Sequence, residues 1–139
     1  MALVRREIVI ARPPDEVWRL IGDPAAISSW FPGIVAAKVD GASRVITTAS
    51  GISMPEEIVS NDAASRVFQY RITAPLIKDH LGSIQVIDAG DGRSLVRYET
   101  RCEPDPIALV IGGACGNALH ELRRQLEAEI AAAPAGQEA

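Results

Sequence analysis

The chain has 139 residues, 47% apolar and 23% charged, which suits one globular domain able to bury roughly 70% of its unfolded surface. Its 14 basic residues are outnumbered by 18 acidic ones and interleaved with them, so the net charge of −4 argues against a nucleic-acid surface. No apolar run approaches the ~20 residues of a membrane span, and the charged N-terminus lacks the apolar stretch of a signal peptide. Two cysteines without Cys-x-x-Cys spacing argue against a disulfide framework or a zinc site, leaving a cytoplasmic protein with no cofactor or metal as the expectation.

Leu3 to Ala11 is rich in Val and Ile with Arg5 and Glu7 on alternate positions, the pattern of a strand with one wet face. Pro13-Pro14 ends it. Pro in a first helical turn followed by Asp15-Glu16 predicts a short helix over Pro14 to Ile21, with Val17, Trp18 and Ile21 on one side. A second brief helix follows Asp23-Pro24, with Asp23 as cap, and finishes at Trp30-Phe31-Pro32-Gly33.

From Ile34 to Cys102, turn chemistry at Asp40-Gly41, Ser50-Gly51, Asn61-Asp62 and Gly90-Asp91-Gly92 separates six expected strands, near 34–40, 43–49, 52–60, 65–74, 79–89 and 93–103. In the last, Ser94, Val96, Tyr98, Thr100 and Cys102 alternate with Leu95, Arg97, Glu99 and Arg101, so an inner face opposes a charged outer one. The same alternation turns Phe68, Tyr70 and Ile72 inward, and with them Ile84, Val86 and His80. Ile52, Met54, Glu56 and Ile58 are likewise expected inside, with Glu57 outside.

The final element opens at Pro104-Asp105-Pro106, with Asp105 as the expected cap and Pro106 at the first helical position. Leu119, Leu122, Leu126 and Ile130 form an apolar stripe opposite Glu121, Arg123, Arg124 and Glu127. Gly112, Gly113 and Gly116 each cost about 0.8 to 1 kcal/mol in a helix interior. Their expected role is to leave cavity space where the helix crosses the sheet; a loop over 107–113 is the alternative. Residues 1–131 are read as one domain and 132–139 as a disordered tail.

Strand, two short helices, six strands and a long helix is the order of the START-like (SRPBCC) superfamily, the helix-grip fold of the birch-pollen allergen. The local sequence is also similar. Pro14-Asp15-Glu16-Val17-Trp18 with Asp23 and Trp30-Phe31-Pro32, and then Pro55-Glu56-Glu57-Ile58-Val59-Ser60-Asn61-Asp62 with Arg66 and Tyr70, resemble the bacterial polyketide cyclase/dehydrase and lipid transport group. The resemblance spans residues 3 to 131. It implies an α+β fold in which a seven-stranded antiparallel curved sheet wraps a C-terminal helix around a cavity. Two positions depart from the group's commoner pattern: Glu57 stands where Arg is frequent, and His80 where an aromatic is frequent. Both are expected in or beside the cavity.

Glu56 on an apolar wall must find a partner or rise in pKa, and either outcome makes it a candidate acid/base or ligand anchor; the bland reading leaves it solvated at the cavity mouth. The matching position in plant abscisic-acid receptors, which look similar in fold, lines the ligand pocket. His80 suits proton transfer or a hydrogen bond to a ligand, against a bland reading in which it pairs with Asp79 at a loop edge. The expected meander places the strand of Tyr70 between Glu56 and His80. The expected cavity lining comprises Trp30, Phe31, Met54, Ile58, Phe68, Tyr70, Ile84, Val96, Tyr98, Ile111, Ala114 and Asn117, with Trp30 and Phe31 at the rim. Three functions remain open: binding of a lipid, polyketide or aromatic metabolite; polyketide cyclase or dehydrase-like catalysis through His80 or Glu56; and protein interaction with the cavity collapsed. Monomer and homodimer are equally compatible with the sequence.

Overall fold

The computed structural model describes the backbone of residues 1–132 and the side chains through Glu129. The expected tail and the side chain of Ile130 lie outside the described residues. Strand β1 (Ala2–Ile10) leads into helix α1 (Pro14–Ile21), a 3-10 turn (Pro24–Ala26) and helix α2 (Ile27–Trp30). Strands β2 (Ile34–Asp40), β3 (Ser43–Thr48), β4 (Ser53–Asp62), β5 (Val67–Ile72), β6 (Asp79–Gly90) and β7 (Arg93–Glu103) follow, and helix α3 (Asp105–Ala132) ends the described chain.

The strands form one antiparallel sheet in the order β1-β7-β6-β5-β4-β3-β2. Short connections join β2 through β7 in sequence, the longest being the six residues between β5 and β6, and β1 closes onto β7 with Ile8 opposite Val96 and Ile10 opposite Ser94. The period-2 alternation decides which face is buried. Phe68, Tyr70 and Ile72 on β5, His80, Gly82, Ile84 and Val86 on β6, and Ser94, Val96, Tyr98, Thr100 and Cys102 on β7 all point inward, as their alternation predicts. Arg5 and Glu99, and Glu7 and Arg97, pair on the outer face.

Helix α3 packs on β1 and β7. Its buried stripe is Cys115, Ala118, Leu119, Leu122 and Leu126, at the three-and-four spacing of one helical face. Each fully buried Leu contributes about 2 to 3 kcal/mol of apolar burial. The far end of α3 is tied down by Arg12, which donates to the Leu126 carbonyl at 2.9 Å and to Glu129 at 3.0 Å. A cation bonded to carbonyls in a helix's last turns also complements the helix dipole. Asp23 caps the 3-10 turn, accepting from Ala25 N–H at 3.1 Å.

Several expectations need correction. Ile52 is exposed, in the turn before β4, so the inward series of that strand starts at Met54. Asp105 is the first residue of α3, not its cap; the Pro104 carbonyl accepts from Ile107 and Ala108, and the Asp105 carboxylate pairs with the N-terminal ammonium. The glycines of α3 do not open the cavity. A Cβ on Gly112 would lie 2.4 Å from Cγ1 of Val4, and one on Gly116 would meet the aliphatic part of Arg6 at 3.4 Å. They let α3 sit close against β1, and the helix runs unbroken through them. Nothing in the structure explains Gly113, whose Cβ would enter open space.

Candidate functional site

Between the sheet and the first half of α3 lies a cavity of about 590 Å³. Ile107, Val110, Ile111 and Ala114 of α3 form one wall, and Ile46, Met54, Glu56, Tyr70 and Ile72 of β3 to β5 form the other. Ile27, Phe31 to Ile34 and Ile77 complete the lining, with Thr48, Ala49 and Ser50 on the β3–β4 side. Gly33, at φ +85°, supplies the left-handed turn that brings the chain from α2 into β2 along this wall. Ile77 sits in the segment between β5 and β6, where a turn closes by Ile77 N–H donating to Ala74.

One charged pair is buried at the sheet face. Arg44 on β3 and Glu56 on β4 stand directly opposite each other, only 2% and 5% exposed, and Arg44 Nε donates to Glu56 Oε1 at 2.7 Å. The guanidinium also lies 5.2 Å from the ring centres of both Phe68 and Tyr70, and its Nη1 donates to the Pro24 carbonyl at 3.0 Å. Arg44 thus ties β3, β4, β5 and the 3-10 turn together, donating hydrogen bonds on two sides and lying near the faces of two rings. Its Nη2 has no partner among the described residues. Burial pushes the Glu56 carboxyl above the ordinary carboxylate range, and the charge and hydrogen bond of Arg44 pull against that without cancelling it. Both outcomes anticipated for Glu56, a partner and a raised pKa, therefore occur together; the solvated reading does not.

Tyr70 stands opposite Gly82, and its ring lies across that residue, where a Cβ would come within 2.5 Å of it. Only glycine on β6 leaves room for the ring, whose hydroxyl then reaches the Tyr98 hydroxyl on β7. Burial raises both phenols well above their ordinary range, so both stay protonated. Phe31 meets Tyr98 edge to face at 6.5 Å, fixing α2 against the sheet.

His80 is buried at the start of β6, not paired at a loop edge. Its Nδ1 accepts from Ile72 N–H at 3.0 Å, which assigns the proton of the neutral ring to Nε2, and Nε2 has no partner among the described residues. Burial lowers its pKa to about 4; Asp79 opposes this and Arg71 adds to it. Ile72 separates His80 from Glu56: its backbone pairs with Glu56 on one side and bonds His80 on the other.

The sequence-predicted site residues therefore divide. Glu56, Phe31, Met54, Tyr70, Ile111 and Ala114 line the cavity. His80 does not; it contacts Ile72 and the Tyr70 ring, 5.4 Å away. Trp30 is buried beneath the rim instead of forming it, and Phe68 lies under the Arg44 guanidinium. Ile84, Val96 and Tyr98 belong to the core deeper between sheet and helix, and Ile58 packs against that core. Asn117 is exposed on α3, away from the lining. Glu57 is exposed, opposite Ser43 and Arg71, so that departure falls on the outer face and not at the cavity. Arg44 is absent from the expected site, as are the lining residues Ile46, Ile72, Ile77, Ile107 and Val110. The signal for Arg44 was present: it is in phase with Ile46 on β3, the inward set.

Among the described residues no helix is long and apolar enough to cross a membrane, and no group of His, Cys, Asp and Glu is placed to hold a metal. Both cysteines are buried and unpaired.

Comparison with known proteins places this geometry. XoxI from Bacillus cereus is 24% identical and superposes with a TM-score of 0.85 over 91% of this chain and 96% of its own. The di-domain aromatase/cyclase BexL of the BE-7585A biosynthetic pathway is 20% identical, TM-score 0.77, over 91% of this chain and 47% of that one. Norcoclaurine synthase from Thalictrum flavum, in complex with dopamine and hydroxybenzaldehyde, is 14% identical, TM-score 0.70, over 90% of this chain and 86% of that one. At these identities the likeness is one of fold. No functionally curated protein matches the chain in sequence. The family model described as polyketide cyclase / dehydrase and lipid transport matches residues 1–133, and the chain belongs to that family.

Proposed function

We propose that this protein binds a mostly apolar small molecule between the sheet and the first half of α3. The observation that carries the reading is the cavity itself: about 590 Å³, walled by Ile, Met, Phe and Ala side chains, with one buried carboxyl set among them. Sites for small ligands have this make-up, an apolar wall with a few fixed polar groups. An open volume of that size also speaks against a collapsed cavity and the interaction-module reading that needs one.

The reading is tested by titrating the chain with N-phenyl-1-naphthylamine, an uncharged probe that fluoresces on entering apolar surroundings. Saturable uptake is expected. Ile111→Trp, which fills the cavity from the helix side, should weaken it about tenfold or more with an unchanged circular dichroism spectrum. Non-saturable uptake, or uptake indifferent to that substitution, would sink the proposal.

Catalysis of the cyclase or dehydrase kind has one observation in its favour, the raised pKa of Glu56 on a cavity wall. A carboxyl tuned upward is better suited than an ordinary one to hand a proton to a bound substrate and take it back. The enzyme reading then rests on Glu56 and not on His80, which does not line the cavity and whose acceptor nitrogen is engaged by the backbone.

A further inference from the structure

The polar atoms of the cavity, taken one at a time, narrow the chemistry of its ligand; the inference rests on the binding reading above. Thr48, Ser50, Glu56 and Tyr70 are the lining residues with side-chain oxygen. The Thr48 and Ser50 hydroxyls bond each other at 2.9 Å, and Thr48 Oγ1 also accepts from Ile52 N–H at 3.2 Å. The Tyr70 hydroxyl is joined to that of Tyr98. Glu56 differs. One of its oxygens takes the Arg44 Nε–H, and the other has no hydrogen-bond partner among the described residues. Arg44 itself does not line the cavity: Nε is held by Glu56, Nη1 by the Pro24 carbonyl, and Nη2, though unpartnered among the described residues, is buried outside the lining beside the faces of Phe68 and Tyr70. A molecule entering the cavity meets an acceptor and no accessible cation.

We infer that the ligand is an uncharged, mostly apolar molecule bearing a hydroxyl group, an alcohol or a phenol, which it donates to the free oxygen of Glu56, and that carboxylic acids are turned away. The physical reasons are separable. A ligand carboxylate would bring a second negative charge against Glu56 in an apolar enclosure, with no cation among the described lining residues to balance it. An ammonium would leave two cations on one carboxylate, a net buried charge that the apolar walls cannot solvate. A molecule with no donor would cover the free oxygen and leave it without water or a partner. A hydroxyl satisfies that oxygen through a charge-assisted hydrogen bond and adds no charge.

Three compounds with one ring system separate these cases: 2-methylnaphthalene, 2-naphthol and 2-naphthoate, each displacing N-phenyl-1-naphthylamine from the full chain at about pH 7.5. The expected order is 2-naphthol tightest, by about tenfold over 2-methylnaphthalene, and 2-naphthoate weaker than both. In Glu56→Gln the amide still accepts but the charge is gone, so 2-naphthoate should gain relative to 2-methylnaphthalene. Should that variant fail to fold, the wild-type order decides alone. Equal displacement by all three, or 2-naphthoate as the strongest, overturns the inference and leaves the binding proposal standing. A probe that is not taken up at all overturns both.

Discussion

At the scale of single residues, the buried polar groups are what give this sheet face its character. A buried ion pair adds little net stability over an apolar pair of the same size, because desolvation offsets the attraction; what Arg44 and Glu56 contribute is a fixed geometry. Arg44 holds one oxygen of Glu56 and leaves the other to the cavity. His80 works differently, as a neutral acceptor. Beyond Tyr70 opposite Gly82 the described β5–β6 pairing stops, and the next inward residue, Ile72, gives its N–H to the imidazole in place of a β6 carbonyl. Protonation turns Nδ1 into a donor and breaks that bond. The folded-state pKa of about 4 lies below the ordinary 6.5, so the neutral ring's contribution is whole above pH 6.5 and is lost as pH falls through about 4. That difference of about 2.5 pH units corresponds to roughly 3 kcal/mol, reduced to about 2 by solvent screening from the exposed Asp79 and Arg71 side. Urea unfolding of the wild type and of His80→Asn, whose amide oxygen can still accept from Ile72, should show the wild type losing about 2 kcal/mol more between pH 6.5 and 4. Parallel pH profiles would mean that His80 titrates normally.

At the scale of elements, α3 shows how one helix serves two demands. Its C-terminal half presents Leu119, Leu122 and Leu126 to the core, all buried. Its N-terminal half approaches β1 through Gly112 and Gly116 while turning Ile107, Val110, Ile111 and Ala114 to the cavity. Two adjacent glycines in the same helix should therefore respond oppositely to the same change. Gly112→Ala drives a methyl into Val4 and should cost about 1 to 2 kcal/mol after the helix-propensity gain is counted. Gly113→Ala meets nothing and should gain up to about 1 kcal/mol. Urea denaturation midpoints at constant slope measure both, and Val4→Ala combined with Gly112→Ala should recover part of the loss.

At the scale of the whole molecule, the two ends of α3 differ in how firmly they are held. Arg12 and Gln125 anchor the far end to the β1–α1 turn and to Ser29, whereas Leu109 and Val110 near the mouth are 65% and 74% exposed. Helix residues with few buried contacts open at lower free energy than those in the core. Hydrogen exchange in the empty protein should thus be faster over residues 107–114 than over 115–126. A bound apolar ligand, touching Ile107, Val110, Ile111 and Ala114, should slow the first segment and leave the second unchanged. Uniform protection along α3 would show that the cavity does not load through this end.

The order of strands and helices, the inward face of β5, β6 and β7, and the presence of Glu56 on an apolar wall were all legible in the amino-acid order. These follow from local chemistry: period-2 alternation, turn residues and the three-and-four stripe of α3. The remaining features depend on register and on distance across the sheet, which local patterns do not encode. Arg44 becomes the partner of Glu56 because the β3–β4 hairpin sets them opposite, 12 positions apart. Gly82 matters because the Tyr70 ring crosses it to reach Tyr98, and Gly112 because Val4, more than 100 positions away, lies against it. Which inward residues line the open volume and which fill the core was likewise invisible from alternation. Both groups point the same way, and only the path of α3 over the sheet separates Met54 and Ile111 from Ile84 and Val96.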